Sequence, residues 1–167
     1  MEYEDRIGPV KLGHGGQVKA AYFGFSPAFQ RMRNAARMVA ATDVGVLLLG
    51  ESGSGRSSLA REIHAESPRC RGPLVTFTCT GAPEGSLAAT LMGMPSGRSA
   101  SPATLYLDEV GELSSTDQAR LLHLISAADA FPGSAPRVIA ASALDLGAAV
   151  REGRFRRDLH LRLCVVP

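Results

Sequence analysis

The spacing of apolar residues along the chain predicts a helix, a strand and a second helix near its start. Ser26 and Pro27 favour a helix start, and apolar side chains then recur at helical spacing, so we expect a helix over 27–41. The apolar run from Val44 to Leu49 is typical of a strand buried on both faces of a parallel sheet. A glycine-rich turn follows, and the pattern then predicts a helix over 56–66.

The same alternation continues to the end of the sequence. The pattern predicts three further strands, several helices between them, and a fifth strand at the end. Strands that alternate with helices in this way indicate a parallel α/β sheet with helices on both faces. The predicted strands are Leu74–Thr78, Ala103–Leu107, Arg137–Ala141 and Cys164–Val166, and the predicted helices are a short one within 84–102, one over 115–128 and a basic stretch over 147–163.

Composition and charge exclude several classes of protein. Of the 167 residues, 45% are hydrophobic and 20% are charged, which is typical of a globular chain. The net charge of +2 is too balanced to predict nucleic-acid binding from charge alone. The cysteines Cys70, Cys79 and Cys164 are widely spaced and odd in number, which excludes a disulfide framework and a CxxC metal site. With no bilayer-spanning apolar run and no signal-peptide pattern, we expect a cytoplasmic protein without membrane contact.

The start of the chain differs in composition from the remainder. It is polar and contains Gly13, Gly15 and Gly16 around His14. Because glycine loses more conformational freedom on folding than other residues, we expect a flexible arm over 1–21. A single α/β domain is expected from residue 22 to the end of the sequence.

The turn after the first strand is predicted to bind phosphate. Glycines between a buried strand and a helix allow the backbone to wrap a phosphate, whose charge is stabilised by N–H groups and the helix N-terminus. Ser57 is placed to ligate Mg²⁺. A glycine-rich turn without any ligand is the alternative. The residues of the loop are Gly50, Glu51, Ser52, Gly53, Ser54, Gly55, Arg56 and Ser57.

Arg56 departs from the phosphate-loop pattern, which has lysine at this position. Lysine offers a compact charge that fits between two phosphates, whereas the guanidinium group is wider and planar. Of the 18 basic residues only Lys11 and Lys19 are lysines, so one interpretation is a drift to arginine that preserves function. The interpretation that we favour is impaired nucleotide handling, because this exchange is not conservative at a fitted site.

Two carboxylates follow the strand predicted at 103–107. Asp108 would hold Mg²⁺ through its ligand shell, and Glu109 would polarise an attacking water. Neighbouring acidic residues also occur at the N-cap and first turn of a helix. Since a phosphate loop precedes them in the chain, we favour the first interpretation, a Walker B element.

These motifs together are similar to those of one family. From about residue 20 onward, the chain resembles the AAA+ domain of bacterial sigma-54-dependent transcriptional activators, the enhancer-binding proteins. The resemblance implies a P-loop NTPase fold, a five-stranded parallel sheet in the order 5-1-4-3-2, ATP in the crevice and ring assembly. The segments that carry it are GESGSGRS (50–57), LYLDEVGEL (105–113), QARLLHLI (118–125), RVIAAS (137–142) and EGRFRRDLHLRL (152–163).

The last of these segments has a specific implication. The resemblance implies that Arg156 and Arg162 stand where arginine fingers reach into the neighbouring subunit's site. A solvated basic face or a nucleic-acid patch is the alternative for 151–162. By the same resemblance, the domain over 22–167 is expected to be of the sigma-54-interaction type.

Several positions depart from the family's pattern. The loop sequence Gly-Ala-Phe-Thr-Gly-Ala, which contacts sigma-54, is missing from 80–107, where 93–97 reads GMPSG instead. Two asparagines of the family align with Thr78 and Ala143. By the resemblance, the family's helical lid subdomain would begin at Pro167, so we expect a domain without that lid and without a DNA-binding domain.

We therefore expect a degenerate activator-type domain that regulates transcription by binding a related activator or another protein partner. It is expected to bind ATP or ADP with Mg²⁺ weakly, to hydrolyse little ATP, and to be a monomer or weak oligomer alone. It is not expected to remodel sigma-54 directly. One alternative is a competent Mg-dependent ATPase that activates sigma-54 transcription, and a second is an interaction scaffold without ligand.

Overall fold

The computed structural model describes residues 26–94, 103–130 and 135–164 of the chain. Within them, strands and helices alternate as the apolar pattern predicts. None of the helices in these ranges is long and apolar enough to cross a membrane. The elements are α1 (Pro27–Ala40), β1 (Val46–Leu49), α2 (Arg56–Ala65), β2 (Leu74–Thr78), α3 (Ser86–Met92), β3 (Thr104–Asp108), a 3₁₀ turn (Val110–Glu112), α4 (Ser115–Ala130), β4 (Arg137–Ser142), α5 (Leu146–Arg151) and α6 (Arg157–Leu163).

The strands form a parallel sheet in the order β1-β4-β3-β2. This order agrees with the prediction for these strands, but the sheet has four strands in the described residues rather than the five predicted. Cys164 does not start a strand, because its N–H donates to the carbonyl of His160 (3.0 Å) and closes the end of α6. The remainder of the predicted fifth strand, 165–167, lies outside the described residues, as does the predicted arm over 1–21.

The core has two halves, one on each face of the sheet. Because successive side chains of a strand point to opposite faces, Leu105 and Leu107 enter one half and Tyr106, between them, enters the other. The first half is completed by α3, α4, α5 and α6, and the second by α1 and α2. Every residue of β4 is buried, as expected for a central strand covered on both faces.

Two buried arginines connect the elements at the amino-terminal edge of the sheet. Arg137 donates to the carbonyl oxygens of Val39 (2.9 Å), Val44 (3.0 Å) and Ala40 (3.4 Å), so that it links β4 to the end of α1 and the turn after it. Burial lowers the pKa of Arg137. The second arginine, Arg69, is paired with Asp43 and donates to the carbonyl oxygens of Ala103 (3.0 Å) and Ala135 (2.8 Å).

The basic stretch predicted as one helix over 147–163 is two helices, so this prediction was wrong in part. Gly153 has a φ of 73°, a left-handed conformation that glycine adopts without steric cost, and the turn there separates α5 from α6. The turn is attached to α4 by the buried amide side chain of Gln118. Its Nε2 donates to the carbonyls of Leu113 (2.9 Å) and Arg154 (3.0 Å), and its Oε1 accepts from the N–H of Arg156 (2.9 Å).

Candidate functional site

The glycine-rich loop lies at the carboxyl-terminal edge of the sheet, between β1 and α2. The N–H of Gly50 donates to the carbonyl of Ser142 (3.2 Å), which continues the pairing of β1 with β4 into the loop. Gly53 and Gly55 have φ values of 81° and 90°, which an L side chain rarely adopts. Because Gly55 is the N-cap residue of α2, the helix has no N-cap side chain to accept from its first N–H groups. This loop and helix start therefore form a backbone suited to an anion.

A close approach inside the loop adds to this requirement for glycine. A Cβ atom at residue 50 would lie 2.7 Å from the Ser54 Oγ, which is closer than real Cβ contacts allow. A side chain at residue 50 would therefore force the Ser54 hydroxyl into a different rotamer. The phosphate-loop motif has glycine at this position, and the contact with Ser54 gives a steric reason for it.

Arg56 extends from the loop to the end of β3. Its Nη2 donates to Oε1 of Glu109 in an ion pair, and the side chain is only 9% exposed. Its Nη1 is buried and has no hydrogen-bond partner among the residues that the structure describes. The hydrogen bond from Arg56 lowers the pKa of Glu109, and the same bond raises the pKa of Arg56. Both groups are therefore charged, and Nη1 is a buried donor that no described residue satisfies.

Glu109 is held on both sides of its carboxylate. Its Oε2 accepts from the backbone N–H of Ala143 (2.8 Å), while Oε1 accepts from Arg56. Glu109 has a φ of 56°, in the left-handed region, and among the described residues it is the one non-glycine residue with a positive φ. Such a conformation costs on the order of 1–3 kcal/mol and is concentrated at functional sites. The Ala143 side chain cannot replace the family's asparagine, but its backbone contacts Glu109 directly.

A tyrosine connects the two predicted magnesium ligands. The hydroxyl of Tyr106 lies 3.2 Å from the Ser57 Oγ and donates to Oδ1 of Asp108 (3.0 Å). Burial raises the pKa of Tyr106. This contact was not predicted from the sequence, although a tyrosine between leucines in a buried strand indicates a hydroxyl that needs a partner inside the protein.

The donors at this edge fit a magnesium nucleotide. The Ser57 hydroxyl and the Asp108 carboxylate are oxygen ligands of the kind that Mg²⁺ prefers, and Mg²⁺ is usually held by one or two carboxylates together with substrate phosphates. No group of three or more His, Cys, Asp or Glu side chains that could hold a metal occurs in the described ranges.

The second strand ends beside this site. Thr78, which aligns with the family's other asparagine, is exposed and lies opposite Asp108 in the sheet register. The next residue, Cys79, is buried, and its N–H donates to the Asp108 carbonyl (2.9 Å). Burial raises the pKa of Cys79 to about 12, so the thiol is protonated. This strand end therefore supports the position of Asp108 by backbone contact.

Arg156 and Arg162 belong to a different region. Arg156 precedes α6 and forms a two-point ion pair with Asp158, with donor–acceptor distances of 3.0 and 2.8 Å. This pair raises the pKa of Arg156 and lowers that of Asp158 to about 2. Arg162 is exposed in the last turn of α6, which packs against α4 and α5. The structure thus groups residues 50–57 with Asp108 and Glu109, and it places the two arginines on another element.

A parallel sheet with a glycine-rich loop and two carboxylates at its carboxyl-terminal edge defines the fold of a P-loop NTPase. Residues 22–167 match the sequence profile of the Sigma-54 interaction domain, and the chain belongs to that family. The resemblance inferred from the motifs is therefore confirmed, together with the α/β P-loop fold.

Curated relatives agree with this assignment. The anaerobic nitric oxide reductase transcription regulator NorR of Aeromonas salmonicida is 37% identical, with 91% of this chain and 34% of that protein covered. The transcriptional regulatory protein ZraR of Escherichia coli is 37% identical, with 89% of this chain and 39% of that protein covered. The chain thus spans about a third of the length of the curated relatives it matches.

Solved structures share the fold. NtrX from Brucella abortus has been crystallised with ADP and with ATP, and both structures have a TM-score of 0.72 and 30% identity to this chain. They cover 86% and 87% of this chain, and 36% and 37% of the NtrX chain, respectively. The P-loop NTPase domain of an E. coli sigma-54 activator, at 23% identity and a TM-score of 0.59, covers 77% of this chain and 98% of that domain and supports the fold alone.

Proposed function

We propose that this chain is a sigma-54-activator-type AAA+ domain that regulates transcription by binding a related activator or another regulatory protein. In this proposal it binds ATP or ADP with Mg²⁺ weakly and hydrolyses little or no ATP. The observation that carries the impaired nucleotide handling is the Arg56–Glu109 ion pair, because it engages the basic side chain of the loop and the carboxylate that would orient the attacking water.

Nucleotide binding is supported by the geometry of the loop. The backbone of 50–55 and the start of α2 would hold phosphates, and Ser57 and Asp108 would hold Mg²⁺, which neutralises phosphate charge. The crystal structures of NtrX with ADP and ATP support the same ligand class. Because arginine overfills a position fitted to lysine, we expect an affinity loss of roughly ten- to a few-hundredfold.

Slow hydrolysis is supported by the contacts of Glu109. This carboxylate would orient the attacking water, but one oxygen accepts from Arg56 and the other from the Ala143 N–H. In a ring, Arg156 and Arg162 would act as arginine fingers toward a neighbour. Steady-state phosphate release is expected to stay at background. A rate that rises with protein concentration and disappears in Arg156→Ala would contradict this part of the proposal.

A competent Mg-dependent ATPase is the second candidate. The observation that favours it is the grouping of the loop, Ser57, Asp108 and Glu109 at one edge of the sheet. In that case Arg56 would leave Glu109 when ATP binds. The phosphate-release assay separates the two candidates. Titration calorimetry tests the scaffold alternative, which requires that neither ADP nor ATP binds.

Binding to a related activator is supported by the surface around α6. The arginines of 151–162 are exposed there, and Leu161 is exposed beside them. This surface corresponds to the one that, by family resemblance, meets the phosphate loop of the next subunit. We expect the chain alone to form no open complex at a sigma-54 promoter.

Co-purification with an intact sigma-54 activator from the same cell tests the partner. Glutamate substitution of Arg154, Arg156 and Arg162 is expected to weaken the complex, whereas Arg37→Glu, on the exposed side of α1, serves as the matched control. Transcription activated by the isolated chain would overturn the proposal. A complex that tolerates all of these substitutions would exclude the α6 surface as the contact.

A further inference from the structure

The Arg56–Glu109 ion pair closes the space between the phosphate loop and the end of β3. Arg56 is the first residue of α2, and Glu109 follows β3 directly. Their side chains are 9% and 20% exposed, so the contact lies inside the site and not on its rim. The Ala143 N–H holds the second oxygen of Glu109 and fixes the carboxylate toward Arg56.

This space has a defined use in nucleotide hydrolysis. The basic residue of a phosphate loop contacts the outer phosphates, and the acidic residue after the Walker B strand acts on the water beyond the terminal phosphate. The terminal phosphate therefore belongs between residues 56 and 109. With a guanidinium in contact with the carboxylate, that position is filled by protein atoms.

The two inner phosphates do not need that space. They are held by the backbone of 50–55 and by the N-terminus of α2. A diphosphate would therefore bind without breaking the Arg56–Glu109 ion pair.

A triphosphate meets the opposite situation. Its terminal phosphate would have to displace Arg56 from Glu109, which leaves an ionised carboxylate facing a phosphate of the same sign. The loss of the ion pair and the repulsion between the two negative groups affect the triphosphate alone. They lower its binding affinity, before any chemical step.

We propose that the Arg56–Glu109 ion pair makes this site selective for a nucleoside diphosphate over the corresponding triphosphate. The inference rests on the proposed function, since it requires that the loop binds nucleotide. It adds a specificity that lysine at position 56 would not supply, because a lysine ammonium is compact and leaves room for the terminal phosphate.

Calorimetric titration of the full chain with Mg-ADP and with a non-hydrolysable Mg-ATP analogue tests this selectivity. In the unmodified chain we expect ADP to bind at least about tenfold more tightly than the analogue. Arg56→Lys and Glu109→Gln should each bring the two dissociation constants to within about threefold of one another. Thermal unfolding of each variant checks that it is folded.

A second ion pair on the same helix provides the control. Arg33 of α1 pairs with Glu62 of α2 (3.0 Å), away from the loop. Glu62→Gln removes one carboxylate charge from α2, as Glu109→Gln does from the site, and should leave the ratio of the two constants unchanged. If Glu62→Gln also lowers the ratio of the dissociation constant of the ATP analogue to that of ADP, the selectivity comes from the overall charge of the protein and not from the Arg56–Glu109 ion pair.

The outcomes separate this inference from the proposed function. Equal affinities in the unmodified chain, or a ratio that Arg56→Lys does not lower, would overturn the selectivity and leave nucleotide binding intact. Binding that occurs only in the two site variants would show that the pair excludes every nucleotide, which also overturns it. If no variant binds either nucleotide, the nucleotide part of the proposed function fails with it.

Discussion

The two edges of the sheet use buried arginines in opposite ways. At the amino-terminal edge, all three guanidinium nitrogens of Arg137, and all three of Arg69, have partners within the protein. At the carboxyl-terminal edge, Arg56 has a carboxylate partner on one nitrogen and none on Nη1. A buried donor without a partner is costly, and the Arg56 Nη1 is such a donor at the start of the helix that follows the glycine-rich loop.

The largest expected effect comes from removing a fully satisfied arginine. Arg137→Met removes the guanidinium donors of the Ala40 and Val44 carbonyls and one of the donors of the Val39 carbonyl, and we expect a loss of about 3 kcal/mol in the free energy of unfolding. Arg56→Met removes a buried nitrogen that has no partner, and the Glu109 carboxylate that it leaves is 20% exposed and keeps the Ala143 N–H, so we expect a smaller loss of about 1 kcal/mol. Urea unfolding of both variants measures the difference. Equal losses would mean that the two edges do not differ.

A smaller effect should appear when an anion supplies the missing partner. If pyrophosphate binds the loop with a dissociation constant near 1 mM, then 10 mM stabilises the fold by about 1.4 kcal/mol, or roughly 3–5 °C in Tm. The shift should be smaller in Arg56→Met, which removes the guanidinium beside the loop but keeps the loop backbone and the start of α2. It should be unchanged in Arg33→Met, which removes an arginine of α1 that also has a buried nitrogen without a partner but is paired with Glu62. A shift of the same size in Arg56→Met would show that Arg56 does not contact the anion.

The amino-terminal edge should depend on pH through His64. Its Nδ1 lies 2.9 Å from the Thr104 Oγ1 and its Nε2 lies 3.2 Å from the Gly72 carbonyl, and burial lowers its pKa. The unfolded chain therefore binds a proton more readily than the native chain, so His64 destabilises the fold as pH falls below about 6.5. We expect the Tm difference between pH 7.5 and pH 5.5 to shrink in His64→Gln. His123→Gln, on the exposed face of α4, is the control.

The smallest effect concerns reactivity. Cys79 lies beneath the carboxyl-terminal edge with a pKa of about 12, whereas Cys70 is exposed near the opposite edge. Because the thiolate is the reactive form, maleimide at pH 7.5 should label Cys70 rapidly and Cys79 only on unfolding. Mass spectrometry of the labelled peptides measures this. Prompt labelling of Cys79 in the folded chain would show that this edge opens to solvent.

The sequence was most informative where the structure depends on neighbouring residues. The glycines of the loop and the apolar run before them predict β1, the turn and α2, because strand, turn and helix start are local. The basic stretch over 147–163 was harder to predict, since its charged residues continue across Gly153 whereas the helix does not. Val44 was predicted in β1 but precedes it, since the strand begins at Val46.

Contacts between distant residues could not be predicted in the same way. Arg56 and Glu109 are adjacent only because β1 and β3 both flank β4, and the choice of the guanidinium's partner depends on side-chain rotamers. The hydrogen bond from the Ala143 N–H to Glu109 could not be predicted either, because the donor is a backbone group and the family's pattern specifies a side chain at this position. The sequence thus predicts which residues lie together at the carboxyl-terminal edge of the sheet, but not which of them form hydrogen bonds and ion pairs with one another.

The amide of Gln118 has a consequence for the speed of local motion. Its three hydrogen bonds join the carbonyl after the 3₁₀ turn to the backbone that enters α6. The Arg156 side chain is exposed, yet its N–H is bonded to this buried amide. Hydrogen exchange at Arg156 must therefore wait for the separation of α6 from α4, so this amide reports the opening of the helical layer and not the mobility of a surface residue.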